Sequence, residues 1–96
     1  MKEYFILWSP KAEETYLNII EFILHKWTFK EADEFDNKVN KLIEKLRLHK
    51  NLCPQSKMFK KLRRCVITSQ ISLIYQFRNN TIELITFVDN RSNHKY

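Results

Sequence analysis

The spacing of apolar residues changes twice along the chain, and each change marks a new kind of element. Tyr4 to Trp8 is a near-continuous apolar run, the pattern of a short strand buried on both faces. From Ala12 the apolar positions fall at helical intervals, through Tyr16, Ile19, Ile20, Ile23 and Trp27. They predict a first helix running to about residue 26. Ser9-Pro10 is its start signal, with serine as N-cap and proline at the first helical position, where the missing N–H costs nothing. Thr28-Phe29-Lys30-Glu31 has the form of a capping box and opens a second helix. Its apolar stripe is Ala32, Phe35, Val39, Leu42, Ile43 and Leu46, while Lys38, Lys41, Glu44, Lys45 and Arg47 lie largely outside it. With almost no chain between them, the two helices must fold back as an antiparallel hairpin. His49 to Pro54 ends the second helix, with Asn51 placed for a left-handed cap and Pro54 blocking continuation.

Beyond Pro54 the periodicity becomes two. Three strands are predicted: Leu62 to Thr68, Ile71 to Arg78 and Thr81 to Val88, turned by Ser69-Gln70 and Asn79-Asn80. Asparagine tolerates the positive φ of a two-residue hairpin loop. A tight second turn pairs Arg78 with Thr81, Phe77 with Ile82, Gln76 with Glu83, Tyr75 with Leu84 and Ile74 with Ile85. Alternation then places Ile71, Leu73, Tyr75, Phe77, Ile82, Leu84 and Val88 on one face, to be covered by the helices. The other face mixes Ser72, Gln76, Arg78, Thr81 and Glu83 with Ile74, Ile85 and Phe87. The order β-α-α-β-β-β describes an α+β fold, a helical hairpin packed on one face of a mainly antiparallel sheet. At 96 residues the chain suffices for one domain, spanning 1–96.

Composition narrows the chemistry. No glycine occurs anywhere in the chain, which removes the phosphate-cradling loops of nucleotide hydrolysis and dinucleotide binding. No metal or cofactor is expected. Met1-Lys2-Glu3 leads straight into a strand without a secretory core, and no apolar run approaches membrane-spanning length, so a cytoplasmic location is expected. Cys53 and Cys65 match no zinc spacing and are read as reduced thiols. The net charge of +6 predicts attraction to nucleic acid or to an acidic protein.

Two stretches concentrate candidate chemistry. Lys57, Lys60, Lys61, Arg63 and Arg64 put five cations within eight residues, suited to binding phosphates or steering an acidic partner. Arg63 and Arg64 point to opposite faces of their strand, so at most one aims at a given site. A charged loop that blunts a sheet edge explains the same cluster without function. The tail Asp89-Asn90-Arg91-Ser92-Asn93-His94-Lys95-Tyr96 brings together a guanidinium, an imidazole and a phenol. Arg91, His94 and Tyr96 are the groups that metal-independent RNA cleavage requires, namely a base, an acid and a cation for the phosphorane. A frayed polar terminus is the plainer alternative. Ile74, Ile85 and Phe87 project from an otherwise polar face and are expected to dock a partner's helix or strand, unless the tail folds back over them.

Taken in order, these residues resemble the RelE/ParE superfamily of toxins. The resemblance rests on Trp8-Ser9-Pro10-Lys11-Ala12, Ile19-Ile20, Phe22-Ile23, Ala32, Phe35 and Pro54. It continues through Leu62-Arg63-Arg64-Cys65, Ile74-Tyr75 and Asp89-Asn90-Arg91-Ser92-Asn93, and so covers essentially the whole chain. It implies a toxin paired with an acidic antitoxin that wraps and neutralises it. RelE-like members are ribosome-dependent mRNA endonucleases; ParE-like members inhibit DNA gyrase without known catalysis. The long helical hairpin and its Ser-Pro-Lys-Ala opening look more like the ParE side. On the nuclease side, Arg63 and Arg91 fall near arginine or basic positions of RelE, and a His-Tyr ending serves YoeB-like relatives. Cys65 and Ser72, however, stand where RelE-like nucleases tend to carry lysine and arginine. Each lost cation removes roughly 2.7–4 kcal/mol of transition-state stabilisation in a comparable role. A non-toxic, basic nucleic-acid-binding module is the alternative outside the toxin class.

Overall fold

The computed structural model describes residues 2–92 and 94–96, so Met1 and the Asn93 of the closing motif lie outside the described residues. Six elements follow in the predicted order: β1 (Phe5–Trp8), α1 (Pro10–Lys26), α2 (Phe29–Leu48), β2 (Arg63–Val66), β3 (Ile71–Arg78) and β4 (Thr81–Asp89). They form an α+β fold in which the sheet order is β1-β4-β3-β2. β1 runs parallel to β4, and the other neighbours are antiparallel.

Local chemistry sets the boundaries. The Ser9 hydroxyl accepts from the Ala12 N–H at 2.9 Å and caps α1. At the start of α2 the Glu31 carboxylate returns to accept from the Thr28 N–H at 2.9 Å, and also from the Thr28 hydroxyl. That pairing holds the Glu31 carboxyl below its ordinary pKa. The end of α2 departs from expectation. His49 is extended, with φ −138°, and its N–H returns to the Lys45 and Leu46 carbonyls, so Asn51 makes no left-handed cap. Positive φ occurs among the described residues at Asn79 (52°) and Asn80 (62°), the values a type I′ hairpin turn demands. The Asn80 carbonyl also receives the Phe5 N–H, so this turn anchors the start of β1.

β1 is an edge strand with one face against the helices, not a strand buried on both faces. Phe5 and Leu7 remain 69% and 53% exposed, because the single helical layer covers one side of the sheet. β2 is shorter than predicted: the Ile67 and Thr68 N–H groups both turn to the Ile71 carbonyl, closing the turn early. The β3–β4 register follows expectation from Arg78↔Thr81 to Tyr75↔Leu84. A bulge then makes Ile85 the extra residue, so Ile74 lies opposite Thr86 and Leu73 opposite Phe87. Every side chain beyond the bulge changes face. Phe87, not Val88, enters the core.

That core joins Phe35, Val39, Ile43 and Leu46 of α2 to Leu73, Tyr75, Ile82, Leu84 and Phe87 of the sheet. Each such side chain, fully buried, contributes about 1.5–3 kcal/mol. Trp8 and Tyr16 meet edge to face at 5.4 Å, and the Tyr16 hydroxyl donates to the Asp36 carboxylate, tying α1 to α2. At the sheet centre Tyr75 is fully buried; its hydroxyl donates to the Lys50 carbonyl at 2.9 Å and accepts from the Cys53 N–H at 3.4 Å. The strand thereby pins the connection from α2 to β2.

The cysteines are joined. Cys53 and Cys65 form a disulfide with Cα atoms 5.3 Å apart, contrary to the reading as reduced thiols. The connection doubles back along β2, with Gln55 bridging to Arg63 and the Arg64 N–H bonded to the Pro54 carbonyl, and this return lays Cys53 beside Cys65. Sequence spacing carries no trace of that reversal.

Candidate functional site

The five clustered cations divide into two groups. Lys57, Lys60 and Lys61 stand exposed on the loop before β2. Arg63 and Arg64 are half-buried on opposite faces of β2, as alternation requires. Arg63 shares the face of Tyr75, and its Nη1 donates to the Cys53 carbonyl at 2.6 Å. Arg64, on the face of Ile74, donates through Nε to Ser72 Oγ at 3.3 Å and through Nη2 to Asn90 Oδ1 at 2.7 Å. Ser72 Oγ donates to the same Asn90 oxygen at 2.6 Å, while the Asn90 amide nitrogen reaches the Thr68 and Ser69 carbonyls. This network ties β2, β3 and the turn between them to the segment that follows β4.

The tail residues fall into two pairs, Arg91 with Asp89 and His94 with Tyr96. Arg91 forms a two-pronged pair with Asp89, through Nε to Oδ1 at 3.1 Å and Nη2 to Oδ2 at 3.0 Å. Its N–H also donates to Asp89 Oδ1 at 2.8 Å. These bonds hold the Asp89 carboxyl well below the usual range, at about 2, and raise the Arg91 guanidinium. Tyr96 instead returns to the basic loop, where its carbonyl accepts from Ser56 Oγ at 3.4 Å and its ring lies 5.9 Å from Phe59. The His94 Nδ1 accepts from the Tyr96 N–H at 3.2 Å, and the Lys95 ammonium lies over the Phe59 ring.

The expected docking patch of Ile74, Ile85 and Phe87 does not form. Ile74 has no solvent exposure, Phe87 is in the core at 3% exposure, and Ile85 is the half-buried bulge residue. The bulge is the cause, since it moves Phe87 to the opposite face from Ile74. The tail is not a frayed terminus: it folds back to the basic loop at Ser56 and Phe59.

An apolar groove lies elsewhere. Its volume is about 730 Å³, and it opens between the helical hairpin and the β2–β3 turn with the end of β4. Ile19, Phe22, Ile23 and Trp27 of the α1 side face Ile71 and Phe87. Glu31, Glu34 and Lys38 stand along the α2 rim, and Asp89 and Arg91 along the sheet rim. Trp27 is 64% exposed although its spacing reads as core, and Phe22, outside that stripe, is 54% exposed. Across the groove stand only the β2–β3 turn, Ile71 and the end of β4 with Arg91, and the two aromatics remain uncovered. Trp27, the residue after the last helical turn, was the available signal. A large aromatic beside a two-residue inter-helix turn has little to pack against.

A family model for the ParE toxin of the parDE type II toxin–antitoxin system matches residues 6–94. The chain belongs to the ParE toxin family. Solved structures repeat the fold of this toxin. One, described as a chromosomal ParDE system from P. aeruginosa, superposes with a TM-score of 0.76 at 11% identity, covering 91% of this chain and 96% of that one. A copper-bound mutant toxin from Helicobacter pylori gives 0.67 at 18% identity, covering 95% and 99%. A YoeB/ParE toxin from Agrobacterium tumefaciens gives 0.65 at 16% identity, covering 94% and 99%. No curated protein matches the chain.

Membership makes the protein the toxin component of a type II toxin–antitoxin system, with an antitoxin as its partner. Among the described residues no helix is long and apolar enough to cross a membrane, and no cluster of His, Cys, Asp or Glu is arranged to hold a metal ion.

Proposed function

We propose that this toxin arrests growth in the cytoplasm by binding DNA gyrase, not by cutting RNA. The observation that carries this reading is the engagement of the arginines. Arg91 is paired with Asp89, Arg63 is bonded to the Cys53 carbonyl and Arg64 is bonded to Ser72 and Asn90. A metal-independent nuclease needs unengaged cations aimed at one phosphate. Here the tail guanidinium is already paired with its neighbour, and Cys65, which the family resemblance sets where nucleases carry a lysine, is disulfide-bonded. The exposed Lys57, Lys60 and Lys61 serve as the contact surface for the target, while Arg63, Arg64 and Arg91, engaged by the bonds above, do not count toward it. The runner-up is ribosome-dependent mRNA cleavage by Arg63, Arg91, His94 and Tyr96.

The antitoxin is proposed to lay the apolar side of an amphipathic segment into the groove of Phe22, Trp27, Ile71 and Phe87. The groove has the size and apolar lining of a binding site and a rim of both charge signs that can set orientation. An acidic antitoxin also suits the toxin's net charge of +6.

Induction of the chain in bacteria, with DNA and protein synthesis pulse-labelled separately, tests the target. A prompt fall in DNA synthesis with translation continuing is expected, and His94→Ala with Tyr96→Ala should leave toxicity intact. A prompt fall in translation, with messages cut inside reading frames, would refute gyrase inhibition and select the nuclease.

A further inference from the structure

The Cys53–Cys65 disulfide closes a stretch of chain with a sequence separation of 12, and Lys57, Lys60 and Lys61 lie inside it. We propose that this disulfide is a reversible redox latch on the basic loop, opened by thiol–disulfide exchange with a dithiol and closed by exchange with a disulfide, which is itself reduced to two thiols. Its effect on toxicity rests on the target surface proposed above; the latch itself does not.

The two sulfurs are kept together by bonds that survive reduction. The Cys53 carbonyl accepts from Arg63 Nη1 at 2.6 Å, its N–H donates to the Tyr75 hydroxyl at 3.4 Å, and the Pro54 carbonyl accepts from the Arg64 N–H at 3.0 Å. The reduced thiols therefore stay adjacent and ready to re-form the bond. Beyond this neck little holds the loop. The Ser56 N–H reaches the Leu62 carbonyl, the Leu62 N–H reaches the Phe59 carbonyl, the Phe59 N–H reaches Ser56 Oγ at 3.4 Å, and the tail touches the loop at Ser56 and, through Tyr96 and Lys95, at Phe59. Met58 at the tip is 71% exposed. When those bonds break in a local opening, the covalent closure is what limits how far the tip can move.

The pair is also asymmetric. Cys65 is 2% exposed, whereas Cys53 is partly exposed. An incoming thiolate attacks Cys53 Sγ and forms a mixed disulfide, and Cys65 leaves as a thiolate that takes up a proton. The second thiol of the donor then attacks its own mixed-disulfide sulfur and releases Cys53, so two thiols form on the toxin as one disulfide forms on the donor. The oxidised form holds the three lysines in a fixed arrangement; the reduced form keeps the fold and frees the loop.

The test compares the purified toxin as isolated, after dithiothreitol, and as Cys53→Ser and Cys65→Ala variants. Alkylation followed by mass spectrometry should find no free thiol before dithiothreitol, two after it, and none again after oxidised glutathione. Hydrogen exchange of the amides of residues 57–61 should accelerate at least about tenfold on reduction, within the range loop closure permits. Exchange in α1 and α2 should not change. Each variant should behave as the reduced form with or without reductant. Thiols that alkylate in the isolated protein and resist oxidised glutathione would overturn the latch, as would equal loop exchange in both forms. Inhibition of gyrase supercoiling should weaken on reduction. Equal inhibition by both forms would refute regulation, whereas no inhibition by either form refutes the gyrase target and leaves the exchange result standing as the test of the latch.

Discussion

Ser9 holds two elements together with one hydroxyl, and replacing it separates their contributions. Ser9 Oγ accepts from the Ala12 N–H at 2.9 Å, capping α1, and donates to the Ile85 carbonyl at 2.8 Å. Ile85 is the extra residue of the β4 bulge, and the bulge is what turns Phe87 into the core and the groove. In Ser9→Ala, loss of the cap costs about 1 kcal/mol. Leaving the Ile85 carbonyl without a donor adds about 1–3 kcal/mol, toward the low end because the site is partly buried. The expected total is about 2–3 kcal/mol. For a domain of this size, that lowers Tm by roughly 10–20 °C. Ser9→Thr keeps both bonds and should stay within about 0.5 kcal/mol of the parent. Ser9→Asp keeps the cap but cannot donate to a carbonyl, so it should fall between threonine and alanine. Urea unfolding and thermal scans at pH 7 give all three values. A fall below about 3 °C for Ser9→Ala, or Ser9→Asp as stable as the parent, would refute the dual role and show that water satisfies Ile85.

Other expectations follow from single contacts. Tyr75→Phe deletes the hydroxyl shared by Lys50 and Cys53 and should cost about 1–3 kcal/mol, measured by urea unfolding; an unchanged midpoint would mean the α2–β2 connection is not pinned from the sheet. The Tyr16 phenol is raised above its ordinary pKa by burial first and by Asp36 second. The fold therefore favours the neutral phenol, and this contribution is complete below the unfolded value near 10 and lost as pH rises beyond it. Tyr16→Phe should cost about 1 kcal/mol at pH 7, with the gap to the parent narrowing above about pH 10; a gap that stays constant in alkaline urea titrations would refute the linkage. Phe22→Glu and Trp27→Glu change exposed groove residues, so they should leave stability nearly unaltered. They should weaken antitoxin binding by at least about 30-fold in calorimetry, the effect of an interfacial hot spot. Full affinity in both would place the antitoxin elsewhere.

What could be read without coordinates was whatever depends on near neighbours along the chain. Helix starts at Ser9-Pro10 and Thr28, the stripes from Ala12 to Ile23 and from Ala32 to Leu46, and the Asn79-Asn80 turn are local preferences, and each appears where the pattern put it. Period-two alternation likewise paired Arg78 through Tyr75 correctly, because a tight turn fixes register for the residues beside it. The tertiary structure decided everything that turns on one element meeting a distant one. The bulge at Ile85 is stabilised from the start of α1, 76 residues away, by Ser9, with Thr15 accepting the Phe87 N–H nearby. No pattern within β4 records those partners, so alternation alone puts Phe87 on the face of Ile74, whereas the bulge carries it to the core face. The Cys53–Cys65 bond needed the loop's return along β2, and the groove needed the helical hairpin to stand across from the β2–β3 turn and the end of β4. Arg91 was legible as a candidate. Its pairing with Asp89, two residues away, was set by how the chain turns after β4, and that turn decided which charges remain available to a partner.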